Sequence, residues 1–136
     1  MKKTKILIVD DEAAFTRMVK YALEKTGRYE VREENISLRA LDVALEFQPD
    51  LAILDIMMPD LDGSQVAQMF KTDERMKDTP IIFMTAIIPK EELESEVNRK
   101  YILYLRKPVT LVQIVEGIEQ ALKTAHTDDA PVGPFQ

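Results

Sequence analysis

The 136-residue chain contains no cysteine and no tryptophan, and its one histidine is His126. The absence of cysteine excludes disulfides and thiolate chemistry, and a single histidine excludes a histidine-based metal site or catalytic triad. No apolar run approaches the ~18 residues that a membrane-spanning helix needs. The net charge of −6 provides no basic field that would attract nucleic acid. We therefore expect a cytoplasmic domain without a signal peptide, which binds neither a membrane nor nucleic acid directly.

What the chain does contain is a regular alternation of strand-like and helix-like segments. Apolar runs occupy residues 6–9, 51–54, 81–84 and 102–105, and residues 29–33 alternate between apolar and polar side chains. Apolar residues at helical spacing follow each of these segments. The fourth predicted helix, residues 90–100, offers only Leu93 and Val97 to a core, so we expect it to be mobile or marginal. The alternation requires parallel strands joined by right-handed crossovers.

This pattern predicts an α/β fold with a doubly wound, five-stranded parallel sheet between two layers of helices. The most polar strand, residues 29–33, belongs at an edge, and the strand order 2-1-3-4-5 of flavodoxin-like folds satisfies that requirement. In this order the first and third strands lie side by side. We expect one domain over residues 1–123, followed by a flexible tail or linker over residues 124–136.

Acidic side chains, a threonine and a lysine stand at the carboxyl ends of the predicted strands. They are Asp10 and Asp11 after the first strand, Asp55 at the end of the third, Thr85 after the fourth and Lys107 after the fifth. Clustered carboxylates repel one another, and a divalent cation is the usual remedy. A ligand set of oxygen atoms alone favours a hard ion such as Mg²⁺. An aspartate held beside Mg²⁺ and a lysine is a candidate nucleophile toward phosphorus, which would give an acyl phosphate.

Each of these residues also has a plainer structural interpretation. Asp10 and Asp11 could cap the following helix, since aspartate is favoured at helix starts. Asp55 could be a turn residue, Thr85 a hydroxyl at a strand end and Lys107 a solvated surface side chain. The joint presence of Asp55 and Lys107 favours the chemical interpretation of the acid pair.

Four motifs stand at these strand ends in a fixed order. They read ILIVDDE at residues 6–12, LAILDIMMPDLDG at 51–63, FMTA at 83–86 and YLRKP at 104–108. Together they resemble a two-component response-regulator receiver domain, similar to the single-domain chemotaxis receivers, over about residues 4–123. The resemblance implies that Asp55 accepts a phosphoryl group from a phosphohistidine on a sensor histidine kinase or a histidine phosphotransfer protein.

The resemblance also implies a set of metal ligands for Mg²⁺. Asp11 and Asp55 would bind the ion through their side chains, and Met57 would bind it through its backbone carbonyl. Asp10 would act mainly through a metal-bound water.

The remaining roles concern the switch that phosphorylation would operate. Lys107 would pair with the acids at rest and with the phosphoryl group afterwards, and the Lys107–Pro108 peptide is often cis in this family. Thr85 would swing toward the phosphoryl oxygens, while Tyr104 would move inward with it. Without the resemblance, Tyr104 would be interpreted as a residue that packs in the core. The face formed by the fourth helix, fifth strand and fifth helix would then signal to partners. Ile87 and Ile88 beside this face suggest a docking or dimer surface.

The sequence leaves two other functions open. The chain could be an interaction module that keeps the fold without phosphorylation, although the complete residue set argues against this. A phosphohydrolase of the haloacid dehalogenase group would need a second aspartate two residues after the nucleophile, where this chain has Met57. We therefore expect a signalling domain that turns over no separate substrate. Residues 34–37 and 98–101 depart from the family's usual turns, and we expect neither segment to touch the acids.

Overall fold

The computed structural model describes residues 2–86 and 102–125. Its strands are β1 (Thr4–Val9), β2 (Tyr29–Glu34), β3 (Leu51–Asp55), β4 (Ile81–Thr85) and β5 (Ile102–Arg106). Its helices are α1 (Ala13–Lys25), α2 (Ala40–Phe47), α3 (Gly63–Thr72) and α4 (Leu111–Ala125), and a short 3₁₀ turn over Ser37–Arg39 leads into α2. The fourth predicted helix, the Ile87–Ile88 pair and the turn at 98–101 lie outside the described residues.

The five strands form one parallel sheet in the order β2-β1-β3-β4-β5. The predicted doubly wound, flavodoxin-like sheet is thus confirmed, with the most polar strand at one edge. β1 and β3 are direct neighbours, paired from Ile6 and Leu51 to Val9 and Leu54. This register brings the residues that follow the two strands to the same end of the sheet.

Alternating side chains of the sheet fill two separate cores. Leu7 and Val9 belong to the core shared with α2 and α3, whereas Ile6 and Ile8 belong to the core shared with α1 and α4. All five residues of β3 are buried. Burial on both faces explains why the central strands read as continuous apolar runs, because helices cover both sides of a parallel sheet.

The start of α3 is packed directly against the end of β3. Asp62 caps the helix by accepting a hydrogen bond from the Gln65 amide at 2.9 Å, and the Gln65 side chain accepts one from the Asp62 amide at 2.9 Å. The Gly63 amide donates to the Ile56 carbonyl at 2.9 Å, and a Cβ on Gly63 would overlap the Asp55 carbonyl oxygen. A glycine is therefore required where the helix meets the strand that ends in Asp55.

The last helix extends past the predicted domain boundary. α4 continues to Ala125, and Thr124 on its final turn is buried. The expected boundary after residue 123 therefore falls inside a helix, and the rest of the predicted tail, from residue 126, lies outside the described residues. Of the helices within the described ranges, none is long and apolar enough to cross a membrane.

Candidate functional site

Three carboxylates meet where β1 and β3 end. Asp10, Asp11 and Asp55 each offer an oxygen atom, and these atoms lie within 4.8 Å of one another. Asp10 is fully buried and Asp55 is 4% exposed, whereas Asp11 is exposed to solvent. The sheet order explains this cluster, because β1 and β3 are adjacent and parallel. The structure thus brings together the three acids that the sequence selected as metal ligands.

The ammonium group of Lys107 lies between these acids. Its Nζ atom is 3.1 Å from Asp10 Oδ2 and 3.4 Å from Asp55 Oδ1, and it is 3.6 Å from Glu12 Oε1. The same ammonium lies 5.3 Å from the centre of the Phe15 ring, a distance suited to a cation–π contact. The sequence analysis did not assign Glu12 or Phe15 to the site. Glu12 directly follows the acid pair and Phe15 lies three residues further along the chain.

Burial and charge together set the protonation of the site. Burial, followed by the neighbouring Asp10 carboxylate, raises the pKa of Asp55 to about 6. The charge and hydrogen bond of Lys107 and a hydrogen bond from the Met57 backbone oppose this rise. Burial also disfavours the charge of Lys107, but hydrogen bonds and charges from Asp10 and Asp55 outweigh it and hold the Lys107 pKa above its ordinary value.

An open cavity of about 320 Å³ gives access to the acids. Its lining combines charged and small or apolar side chains from four loops: Asp11, Glu12, Asp55, Met57, Ala86 and Lys107. The Met57 side chain is 71% exposed at this mouth. A larger hollow of about 620 Å³ lies at the other end of the sheet, beside Thr4 and Pro80, and none of the three clustered acids lines it. Access to the acids is therefore through the smaller cavity.

Two further predicted residues lie near the site but do not line this cavity. Thr85 ends β4, is buried, and accepts a backbone hydrogen bond from the Lys107 amide at 2.9 Å. Tyr104 is buried in the core, and its ring centre is 5.4 Å from that of Phe83. The Lys107–Pro108 peptide is cis. Thr85 is thus tied to Lys107 through the main chain, whereas Tyr104 belongs to the packing beneath the site.

The connection between β2 and the 3₁₀ turn touches the acid cluster, contrary to the expectation from sequence. The Asn35 side chain donates to the Asp10 carbonyl at 2.8 Å, and the Asp10 amide donates to the Glu34 carbonyl at 3.1 Å. The reason is the register between the two strands. Because Val9 pairs with Glu34, the residues that directly follow them, Asp10 and Asn35, are also neighbours. The sequence offers no local signal for this contact because it depends on how two strands align.

The donor set of this cluster fits a hard divalent cation. The three side chains offer only oxygen, two of them are buried, and their oxygen atoms are close enough to share one ion. Mg²⁺ commonly binds through one or two carboxylates while it keeps water and phosphate ligands, which an open cavity permits. Lys107 supplies a fixed positive charge on the same side.

Comparison with known proteins assigns this arrangement to a family. The family model of the response regulator receiver domain matches residues 6–119 of this chain. The chain is 31% identical over 120 residues to the polar-differentiation response regulator DivK of Brucella ovis, which covers 88% of this chain and 97% of DivK. It is 32% identical over 127 residues to the DNA-binding dual master transcriptional regulator RpaA of Synechocystis, covering 93% of this chain. The chain spans only 52% of RpaA.

Solved structures show the same fold. The Vibrio cholerae chemotaxis protein CheY4 superposes with a TM-score of 0.80 at 25% identity, over 88% of this chain and 99% of CheY4. The N-terminal domain of a response regulator receiver protein from Methanoculleus marisnigri gives a TM-score of 0.67 at 34% identity, covering 87% of this chain and 95% of that domain. The chain therefore belongs to the receiver-domain family of two-component response regulators.

Proposed function

We propose that the domain accepts a phosphoryl group on Asp55 from a phosphohistidine of a sensor histidine kinase or histidine phosphotransfer protein. The observation that carries this proposal is the single Lys107 ammonium placed between the buried carboxylates of Asp10 and Asp55. The exposed Asp11 carboxylate converges on the same point. In a purely structural ion pair these additional acids would only add repulsion, so their presence favours a role that uses a cation.

In the proposed reaction, a carboxylate oxygen of Asp55 attacks the phosphorus atom of the donor. A P–O bond forms to Asp55 while the P–N bond to the donor imidazole breaks, and the imidazole leaves with the bonding electron pair. The cavity exposes the site to the donor, and the small Ala86 on its wall leaves room for the donor. Lys107, 3.4 Å from Asp55 Oδ1, is positioned to pair with a phosphoryl oxygen after transfer.

The cation that fits this site best is Mg²⁺. Asp11 and Asp55 would hold it through their side chains, Met57 through its backbone carbonyl, and Asp10 through an intervening water. Bound Mg²⁺ would supply positive charge that offsets the crowding of the carboxylates and of the incoming phosphoryl oxygens. The convergence of three carboxylate oxygens within 4.8 Å supports this assignment.

We further infer that phosphorylation is read out at a surface and not through turnover of a separate substrate. Receiver domains are signalling domains, and Thr85 is linked to Lys107 by a main-chain hydrogen bond. Thr85 would turn toward the phosphoryl oxygens, and Tyr104 would follow it inward. The face formed by the helix predicted at residues 90–100, by β5 and by α4 would then change its shape for a partner or for a second copy of the domain.

The test is labelling of the purified protein by radioactive acetyl phosphate, with and without Mg²⁺. We expect acid-stable incorporation only when Mg²⁺ is present, and its loss in Asp55→Asn. The matched control is Asp60→Asn, because Asp60 is an exposed aspartate of the same loop in a left-handed conformation that asparagine also adopts. Equal labelling of wild type and Asp55→Asn would contradict Asp55 as the acceptor, whereas no labelling under any condition would support an interaction module that does not use this chemistry.

A further inference from the structure

The main chain of Asp10 is held by the connection between β2 and α2, which we name the 34–37 connection. The amide of Asp10 donates to the Glu34 carbonyl at 3.1 Å, and its carbonyl oxygen accepts from Asn35 Nδ2 at 2.8 Å. The carboxylate of the same residue accepts from the Glu12 amide at 2.9 Å through Oδ1. The backbone of Asp10 is thus fixed on one side by this connection, independently of the contact between its carboxylate and Lys107.

Asn35 is itself fixed by a buried hydroxyl. Its Nδ2 atom also lies 2.9 Å from Thr16 Oγ1, so the two amide hydrogens serve Asp10 and Thr16. Thr16 is fully buried, and its hydroxyl lies 2.9 Å from Glu33 Oε1 and 3.1 Å from the Ala13 carbonyl. Arg17 lies 3.6 Å from the other Glu33 oxygen. The amide of Asn35 therefore has a defined orientation, set by α1 and β2.

The hydrogen bond from Asn35 affects both Asp10 and Asp11, because it is made to the carbonyl oxygen of Asp10. The Asp10 carbonyl belongs to the planar peptide unit that joins Asp10 to Asp11. Fixing that oxygen sets the orientation of the plane, and with it the direction in which the Asp11 side chain leaves the backbone. Asp11 is the exposed acid of the cluster, yet its carboxylate oxygen lies within 4.8 Å of the Asp10 and Asp55 oxygens.

The same connection also contacts the loop that follows Asp55. Ser37 is buried; its hydroxyl donates to the Pro59 carbonyl at 2.8 Å and accepts from the Leu61 amide at 3.1 Å. One short segment thus joins both acid-bearing loops, through Asn35 on one side and through Ser37 on the other. The relative position of the two loops is therefore set before any ion binds.

We propose that Asn35 is a positioning residue for the acid cluster: its side-chain amide fixes the Asp10–Asp11 peptide plane so that Asp11 converges with Asp55 for metal binding. The proposal rests on the proposed function, since it assumes that these acids bind Mg²⁺. It assigns Asn35 no contact with the ion or with the phosphoryl group. Its effect passes entirely through the Asp10 backbone.

The test compares Mg²⁺ affinity with stability in Asn35→Leu, which keeps most of the side-chain volume but removes both donors. Mg²⁺ affinity is measured by titration calorimetry, and the free energy of unfolding is measured by urea denaturation without metal. We expect the Mg²⁺ dissociation constant to rise by about tenfold, the lower end of the effect of losing an outer-shell partner. Asn35→Ala, which truncates the amide without adding an apolar branch, carries the same expectation should the leucine variant not fold.

The control for a general loss of stability is Thr26→Ala. Thr26 donates its hydroxyl to the Leu23 carbonyl at 2.7 Å, at the end of α1 away from the acids. We expect this variant to lose stability while its Mg²⁺ affinity stays that of wild type. A second readout needs no metal: amide hydrogen exchange at Glu12, whose N–H bonds to Asp10 Oδ1, should be faster in the Asn35 variants and unchanged in Thr26→Ala.

The outcomes separate this inference from the proposed function. A wild-type protein that binds no Mg²⁺ would overturn both. Tight Mg²⁺ binding by wild type and by the Asn35 variants alike would overturn the positioning role alone. The positioning role is likewise overturned when Thr26→Ala weakens Mg²⁺ binding as much as Asn35→Leu does, because the loss would then follow stability and not the peptide plane.

Discussion

At the scale of single residues, Lys107 connects the acidic side chains of the site. It makes ion pairs with Asp10, Asp55 and Glu12, and its ammonium also faces the ring of Phe15. A charge this close to Asp55 favours the ionised carboxylate, while burial and the Asp10 charge favour the protonated one. The pKa of Asp55 therefore reports the balance of burial and the Asp10 charge, which raise it, against Lys107, which lowers it.

Replacing Lys107 should disturb this balance in one direction. In Lys107→Met the opposing positive charge and hydrogen bond are lost, so we expect the pKa of Asp55 to rise above its value of about 6. The measurement is a titration of the Asp55 side-chain carboxyl carbon by NMR in metal-free protein. Lys77→Met, at an exposed lysine paired with Glu74, should leave the Asp55 titration unchanged. An unchanged or lowered Asp55 pKa in Lys107→Met would contradict the arrangement of charges described here.

At the scale of elements, the contact between α3 and the end of β3 determines where Asp55 sits. Gly63 is buried at the first turn of α3, and its amide bonds to the Ile56 carbonyl. A methyl group at this position would meet main-chain atoms of Asp55 and Ile56, which have no freedom to move aside. α3 can therefore approach the end of β3 this closely only because Gly63 has no side chain.

Gly63→Ala should therefore destabilise the domain. The clash is with backbone, so we expect a loss of about 1–3 kcal/mol in the free energy of unfolding, as in other overpacked sites. Gly117→Ala is the matched control, because a Cβ there would meet only side chains of Leu105 and Ile82, at 3.4 Å or more. That substitution, inside a helix, should gain up to about 1 kcal/mol. Urea denaturation measures both; equal stability of Gly63→Ala and wild type would contradict the close packing.

The elements themselves were largely predictable from sequence, and the reason is physical. Strands that are buried on both faces have continuous apolar sequences. The more polar strand at 29–33 could therefore be placed only at an edge of the sheet. The three acids followed from these strand ends and the sheet order. By contrast, the contact of Asn35 with Asp10 depends on the register between β1 and β2, which no local pattern encodes. α4 ends at Ala125, two residues past the expected boundary, which had been placed from composition alone.

At the scale of the whole molecule, the fold brings together like charges that are distant in sequence. Burial of Asp55, followed by the charge of the neighbouring Asp10, makes Asp55 keep a proton to a higher pH in the metal-free protein. The unfolded chain has no such cluster, and its aspartates titrate near the ordinary value of 3.8. The site is therefore a source of instability that varies with pH.

The sign of this effect is fixed by the raised pKa. Between pH 3.8 and about 6 the folded protein holds a proton on Asp55 that the unfolded chain has released. The stabilising contribution is complete below this window and is lost as the pH rises through about 6. We expect metal-free wild type to lose more stability than Asp55→Asn over this range, measured by urea denaturation at a series of pH values. Parallel pH profiles for the two proteins would contradict the raised Asp55 pKa.

The central claim is that the acid cluster and Lys107 make Asp55 the group that accepts phosphoryl. Its most direct test is borohydride reduction of protein treated with acetyl phosphate and Mg²⁺, followed by peptide mass spectrometry. Reduction converts an aspartyl phosphate into homoserine, so the modified residue is identified by position. We predict homoserine at position 55 and at no other aspartate, and none when Mg²⁺ is withheld. Homoserine at a different aspartate, or an unmodified chain after full treatment, would contradict the claim.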